Sequence, residues 1–158
     1  MPSRVTVVGL TGSSPAAAAT VAPAAREAID RADLLVGGRR LLAAADAGGW
    51  APQARRRDLT GDLAGALRDI ADAPGEVCIL ASGDPGFFGV VRPLAEALGR
   101  SRGVLEVHPA PSSVSLAFAR LGLHWDDAAV VSAHGRPPGE AADAACSAPK
   151  VAVLTSPD

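Results

Sequence analysis

The sequence predicts an α/β fold: an open, mostly parallel sheet flanked by helices, followed by the start of a second α/β domain. Two observations carry the prediction. Short β-branched runs alternate with segments of helical period from Arg4 to Leu121, and strands alternating with helices imply a parallel, doubly wound sheet. Of the 158 residues, 48% are hydrophobic but only 3% aromatic, with no tyrosine. A core of small and branched aliphatic side chains suits helices packed on a sheet. The length corresponds to about one domain at roughly 100 to 200 residues each.

The elements follow in order. Arg4 to Gly9 is a β-branched run ending at glycine, and Leu10 to Pro15 after it is turn chemistry. Pro23 to Arg31 sets Ala24, Ala28, Ile29 and Ala32 against Arg26, Glu27 and Asp30, a helical spacing with proline near the start. Asp33 to Gly37 is a second strand, and Arg39 to Ala47 a second helix that stops at Gly48 and Gly49. The alanines 16 to 19 read as helix or loop filler. Arg55, Arg56 and Arg57 read as a solvated surface turn, with contact to an acidic ligand as the rival reading. Asp62 to Asp72 carries Leu63, Ala66, Leu67, Ile70 and Ala71 at helical spacing before Pro74 and Gly75 end it. Val77 to Ala81 is a nearly all-apolar strand, as expected where both faces are covered. A helix from Val91 to Leu98, a strand from Val104 to His108 and a helix from Ser113 to Leu121, closed by Gly122, continue the alternation. Beyond Leu123 it changes: strands at Ala128 to Ser132 and Val151 to Thr155 enclose a Pro/Gly/Ala-rich stretch whose helical signal is weak. The expected domains are therefore 1–122 and 123–158, the second begun and not finished, so that the chain reads as truncated.

Net charge is -2 and the basic residues are scattered, which argues against nucleic acid as a partner. Cys78 and Cys146 are far apart, and Cys78 lies in an apolar run where a thiol behaves as a small hydrophobe, so a reduced, cytoplasmic protein is expected. No charged-then-apolar leader opens the chain and no apolar run approaches the roughly 20 residues that cross a bilayer, so neither secretion nor membrane insertion is expected. His108, His124 and His134 lack the spacing of a zinc site, and no metal is expected.

In an open α/β sheet, ligands bind beyond the carboxyl ends of the strands, so the loops after Val8, Ala81 and Val107 should converge on one crevice. Gly9 to Pro15 resembles the start of a dinucleotide fingerprint, but the third glycine and a P-loop lysine are missing, which leaves a nicotinamide or nucleotide enzyme poorly supported. Ser82 to Gly89 sets one carboxylate, Asp84, among turn-formers directly after a buried strand. Two readings stay open there: an Asx turn or helix cap, and a partner for a cationic or hydroxyl-rich ligand. Ser112 and Ser113 at the mouth of a helix are open to the same pair of readings, an ordinary N-cap or hydroxyls that hold a ligand.

Taken together, Val7-Val8-Gly9, Pro23 to Ile29, Ala32 to Arg39, Ala81 to Gly89, Pro111 to Val114, Ala117 to Asp127 and Ser132 to Arg136 resemble the tetrapyrrole (corrin/porphyrin) methylases. Within them the likeness is greatest to the precorrin-6Y C5,15-methyltransferase group, including its cobalt-precorrin-7 C5-methyltransferase branch. The resemblance implies a cytoplasmic enzyme of cobalamin biosynthesis, a homodimer, that binds S-adenosylmethionine between two α/β domains and methylates ring carbons of a precorrin, C5 and in part of the group C15. Carried over by position, it implies cofactor contacts from Gly9, Gly12, Gly83, Asp84, Phe87, Ser112 and Ser113, and substrate contacts from Thr11, His134 and Arg136. A guanidinium has the fork geometry for a substrate carboxylate. No general base and no other catalytic residue is implied. The first loop departs from the family's usual glycine, any residue, glycine, proline, glycine, since Thr11, Gly12 and Ser13 fill the last three places. The rival class is a non-catalytic α/β module that self-associates through strand edges or binds a partner.

Overall fold

In a computed structural model of the chain, residues 1–12, 21–99, 105–133 and 138–155 are described. The elements are β1 (Arg4–Leu10), α1 (Pro23–Asp30), β2 (Leu34–Gly37), α2 (Arg39–Ala47), β3 (Arg55–Asp58), α3 (Leu63–Asp72), β4 (Glu76–Ser82), α4 (Val91–Leu98), β5 (Leu105–His108), α5 (Ser113–Leu121), β6 (Ala129–Ser132), α6 (Pro138–Ser147) and β7 (Val151–Leu154). They form two compact units, Met1–Pro111 and Ser112–Asp158.

The first unit is a five-stranded sheet in the order β3-β2-β4-β1-β5, with every pairing parallel. Because side chains alternate across a strand, each central strand feeds two separate cores. Val8 and Leu10 of β1, Leu35 of β2 and Cys78 and Leu80 of β4 pack with Ala25 and Ile29 of α1 and Leu41, Leu42 and Ala45 of α2. Val5 and Val7, Leu34 and Val36, and Val77 and Ile79 pack on the other face with Ile70 of α3 and Leu94 and Leu98 of α4. Residues 77 to 80 are at most 1% exposed, which is why β4 lacks the polar alternation of a half-exposed strand. Each such side chain contributes about 1.5–3 kcal/mol by burial.

The helices start and stop where local chemistry allows. Pro23 opens α1 at a position whose N–H needs no partner. The Asp62 side chain accepts the Gly65 N–H at 2.9 Å at the start of α3. That bond, reinforced by Arg57, holds the Asp62 carboxyl below its usual range. In the second unit Ser112 caps α5 by accepting the Ser115 N–H at 3.1 Å, and Gly122 ends it at φ 65°. That unit pairs β6 with β7 in parallel, with α6 packed on both.

One expectation changes. Arg55 to Arg57 is not a solvated turn but β3, the edge strand of the sheet. The Arg56 guanidinium donates to the carbonyls of Trp50, Ala51 and Ala54, each at 2.9 Å, and to Asp46 at 2.9 Å. Arg57 donates to Asp69 at 2.6 Å, Asp62 at 3.1 Å and the Asp58 carbonyl at 2.9 Å. These carboxylates raise the Arg57 pKa further. The stretch of weak helical signal contains α6. The compact units divide between Pro111 and Ser112, so α5 groups with the strands that follow it.

Candidate functional site

Three loops meet at Gly9. A Cβ placed on Gly9 would strike the Gly83 carbonyl oxygen, stand 2.7 Å from the Ala110 nitrogen and reach 3.1 Å from Pro85 Cδ. The loops after β1, β4 and β5 therefore cross at a point with room for a hydrogen atom only, and the obstructing atoms are mostly backbone. The Leu10 carbonyl ties two of them together, accepting the Gly83 N–H at 2.9 Å and the Gly12 N–H at 3.1 Å. Gly12 and Gly83 take φ values of 99° and 67°, which side chains other than glycine's resist. The convergence expected at the carboxyl end of the sheet is thus present within the first unit.

The loop after β4 turns tightly. Asp84 Oδ1 accepts the Gly86 N–H at 2.9 Å, the Asp84 carbonyl accepts the Phe87 N–H at 3.1 Å, and the Pro85 carbonyl accepts the Val91 N–H at 3.3 Å. A Cβ on Gly89 would collide with the Pro85 carbonyl, so Gly89 is as constrained as Gly9. Asp84 forms the Asx turn of one reading, yet this uses a single oxygen. Oδ2 has no hydrogen bond or cation among the described residues, although the side chain is half-buried. A carboxylate oxygen without a donor suits a ligand that carries hydroxyl or ammonium groups. Phe87 is half-buried and meets Phe88 edge to face at 4.9 Å.

The other expected residues fall as follows. Thr11 is half-buried between Leu10 and Gly12. Ser112 and Ser113 belong to the second unit, where the Ser112 hydroxyl caps α5 and also lies 3.2 Å from the Ser115 hydroxyl. This supplies the N-cap of one reading. His134 and Arg136 lie outside the described residues.

Two features at this end of the sheet have little signal in the sequence. Phe88 takes φ 53° and is 50% exposed. His108, the last residue of β5, buries an Nε2 that has no hydrogen-bond partner among the described residues. Glu106 Oε1 is 3.1 Å away, but the contact is an ion pair only when the ring is protonated, and its alignment is not that of a hydrogen bond. Glu106 in turn faces Arg4 at 3.8 Å.

Other clusters do not include Asp84. A cavity of about 370 Å³ is bounded by Leu34, Arg55, Asp69 and Asp72 and does not reach Asp84. An apolar groove of about 400 Å³ in the second unit runs between α5 and β7, along Val114, Phe118 and Val151. Ligand atoms of His124, Asp126 and Asp127 lie within 4.8 Å of one another at the surface. The Lys150 ammonium already holds Asp127 at 2.6 Å and keeps its carboxyl below the usual range. Burial pushes the Cys78 thiol up to about 12, leaving it inert. Among the described residues no helix is long and apolar enough to cross a membrane.

The chain is 37% identical over 133 residues to a cobalt-precorrin-7 C(5)-methyltransferase of Salmonella typhimurium, covering 84% of this chain and 62% of that protein. It is 48% identical over 68 residues to a decarboxylating precorrin-6Y C(5,15)-methyltransferase of a Sinorhizobium species, which covers 43% of this chain and 16% of that protein. The chain thus spans under two thirds of either relative. The crystal structure of a cobalamin-biosynthesis precorrin-6Y methylase from Archaeoglobus fulgidus matches with a TM-score of 0.54 at 27% identity, over 85% of this chain and 66% of that one. Residues 4–158 match the family profile of the Tetrapyrrole (Corrin/Porphyrin) Methylases, and the chain belongs to that family.

Proposed function

We propose that this chain supplies the cofactor-binding part of an S-adenosylmethionine-dependent precorrin C-methyltransferase of cobalamin biosynthesis. The single observation that carries the reading is the spare Asp84 oxygen beside a crossing of three loops that admits no side chain at Gly9. Such a cradle lets backbone approach a ligand closely while one carboxylate accepts from its hydroxyl or ammonium groups. S-adenosylmethionine offers both kinds of donor, and the residues present fit it. C5 is the position of methylation common to the names of both relatives, which supports C5 as the acceptor carbon here.

Gly9, Gly12, Gly83, Asp84 and Phe87 would hold the cofactor in the first unit, with Thr11 bordering the substrate. Ser112 and Ser113, where the loop after β5 enters α5, would also contribute. His134 and Arg136 would meet the substrate, Arg136 through a carboxylate. When bound, the sulfonium supplies an electrophilic methyl group. The task left to these residues is to align a nucleophilic ring carbon and to exclude water, so positioning is the main contribution. The buried, inert Cys78 and the distance in sequence to Cys146 support a reducing cytoplasm as the setting, and the resemblance supports a homodimer.

Calorimetric titration with S-adenosylhomocysteine tests the proposal. Micromolar binding that Asp84→Ala abolishes is expected. A well-folded chain that binds no S-adenosylhomocysteine contradicts it.

A further inference from the structure

Two residues other than glycine adopt a positive φ among the described residues, Ala51 at 43° and Phe88 at 53°. Such a backbone is unfavourable for any residue with a Cβ, so it persists only where the surroundings over-determine it or where function maintains it. Ala51 belongs to the first case. It is 1% exposed and packed in the core against α1 and α2. Its carbonyl accepts from Arg56 and from the Ala54 N–H, and its own N–H lies 3.5 Å from Asp30.

Phe88 has none of this support. Half of its surface is exposed, and no hydrogen bond holds its backbone among the described residues. Its ring meets Phe87, edge-on at 4.9 Å with the planes 77° apart. Glycine occupies positions 83, 86 and 89 of the same loop, yet the left-handed position 88 carries a large apolar ring. Solvent exposure of that ring adds a second cost to the backbone strain. The Asx turn at Asp84 and the close packing of Gly89 on Pro85 fix the loop around it, so the ring is presented rather than left to collapse onto the core.

We infer that Phe88 is a stacking platform for the conjugated macrocycle of the methyl acceptor, a positioning residue for substrate that plays no part in holding the cofactor. The inference rests on the methyltransferase reading and adds to it the element that recognises the acceptor's flat, apolar face. Aromatic surfaces attract conjugated rings in offset-stacked or edge-on geometry. The site it completes lies at the carboxyl end of β4, immediately after the Asp84 turn.

The test is a titration of the chain, saturated with S-adenosylhomocysteine, with cobyrinic acid as a stable corrin probe. Phe88→Asn places at this position a residue at home in the left-handed region. It is expected to weaken corrin binding about tenfold, to leave S-adenosylhomocysteine affinity within about twofold, and to keep Tm unchanged or higher. Phe88→Trp is expected to restore corrin affinity. Corrin binding unchanged in Phe88→Asn overturns the inference. So does a Tm lowered by more than about 5 °C, roughly 1–2 kcal/mol or more for a chain of this size, since that marks the ring as structural. A chain that binds S-adenosylhomocysteine but no cobyrinic acid contradicts the stacking role alone. One that binds neither contradicts the methyltransferase reading beneath it.

Discussion

The edge strand β3 and the loop after β4 both concentrate polar groups, and they dispose of them in opposite ways. In β3 the guanidinium groups of Arg56 and Arg57 are consumed by Asp46, Asp62, Asp69 and four backbone carbonyls. Arg39 pairs with Asp58 at the end of the same strand at 3.0 Å. In the β4 loop a half-buried aspartate keeps one carboxylate oxygen without a donor among the described residues, and a strained phenylalanine is half exposed. A strand edge that satisfies itself has little left to offer a ligand, whereas the loop has both a free acceptor and a bare ring. Charge density alone would have favoured the arginines; hydrogen-bond accounting reverses that choice.

Substitutions in the two regions should therefore separate stability from binding. The largest effect is expected at Gly9→Ala, where the new methyl group meets the Gly83 carbonyl and the Ala110 nitrogen, backbone atoms that cannot step aside cheaply. Overpacking of this kind costs about 1–3 kcal/mol or more, and a Tm several degrees lower with S-adenosylhomocysteine binding lost is the expected result. Arg56→Ala should come next. It removes a donor from three part-buried carbonyls, of which Ala51's keeps the Ala54 N–H, and should cost about 2–3 kcal/mol in urea unfolding, while cofactor affinity in the folded chain stays the same.

Cys78 gives a smaller, pH-dependent effect. Its pKa is raised from 9.0 to about 12 in the folded chain. The associated stability is whole below about pH 9 and is lost as pH rises toward the folded value. Stability should decline by about 1 kcal/mol between pH 9 and 10, and the slope should flatten in Cys78→Ala even though that variant starts lower. Smallest is Ser112→Ala, which removes the cap of α5 and should cost about 1 kcal/mol. A cost near zero would show that the cap is dispensable in the second unit.

How much of this was legible beforehand differs by element. The sheet was readable because β1 and β4 carry β-branched and apolar side chains on both faces, the signature of a strand covered twice, and because α1 and α3 keep a helical period. β3 was not. An Arg-Arg-Arg-Asp run becomes a strand by pairing with β2, and its guanidinium groups are met by Asp46, Asp62 and Asp69, which come from α2, the α3 cap and α3 and which no local pattern links to it. The site was half legible. Gly9 and Asp84 stand out as turn-formers at strand ends, and the two readings of Asp84 turn out to be compatible, since the Asx turn takes Oδ1 and leaves Oδ2. The strain at Phe88 was invisible among its glycines, because a left-handed φ at a phenylalanine is set by the fold of the loop and not by the residue.

Backbone amide NMR during titration with S-adenosylhomocysteine separates the two regions. Saturable shifts are expected at Gly9, Gly12, Gly83, Asp84 and Phe87 with Arg55, Arg56 and Arg57 unmoved. Shifts that cluster on the arginine edge and spare the Asp84 loop would contradict it.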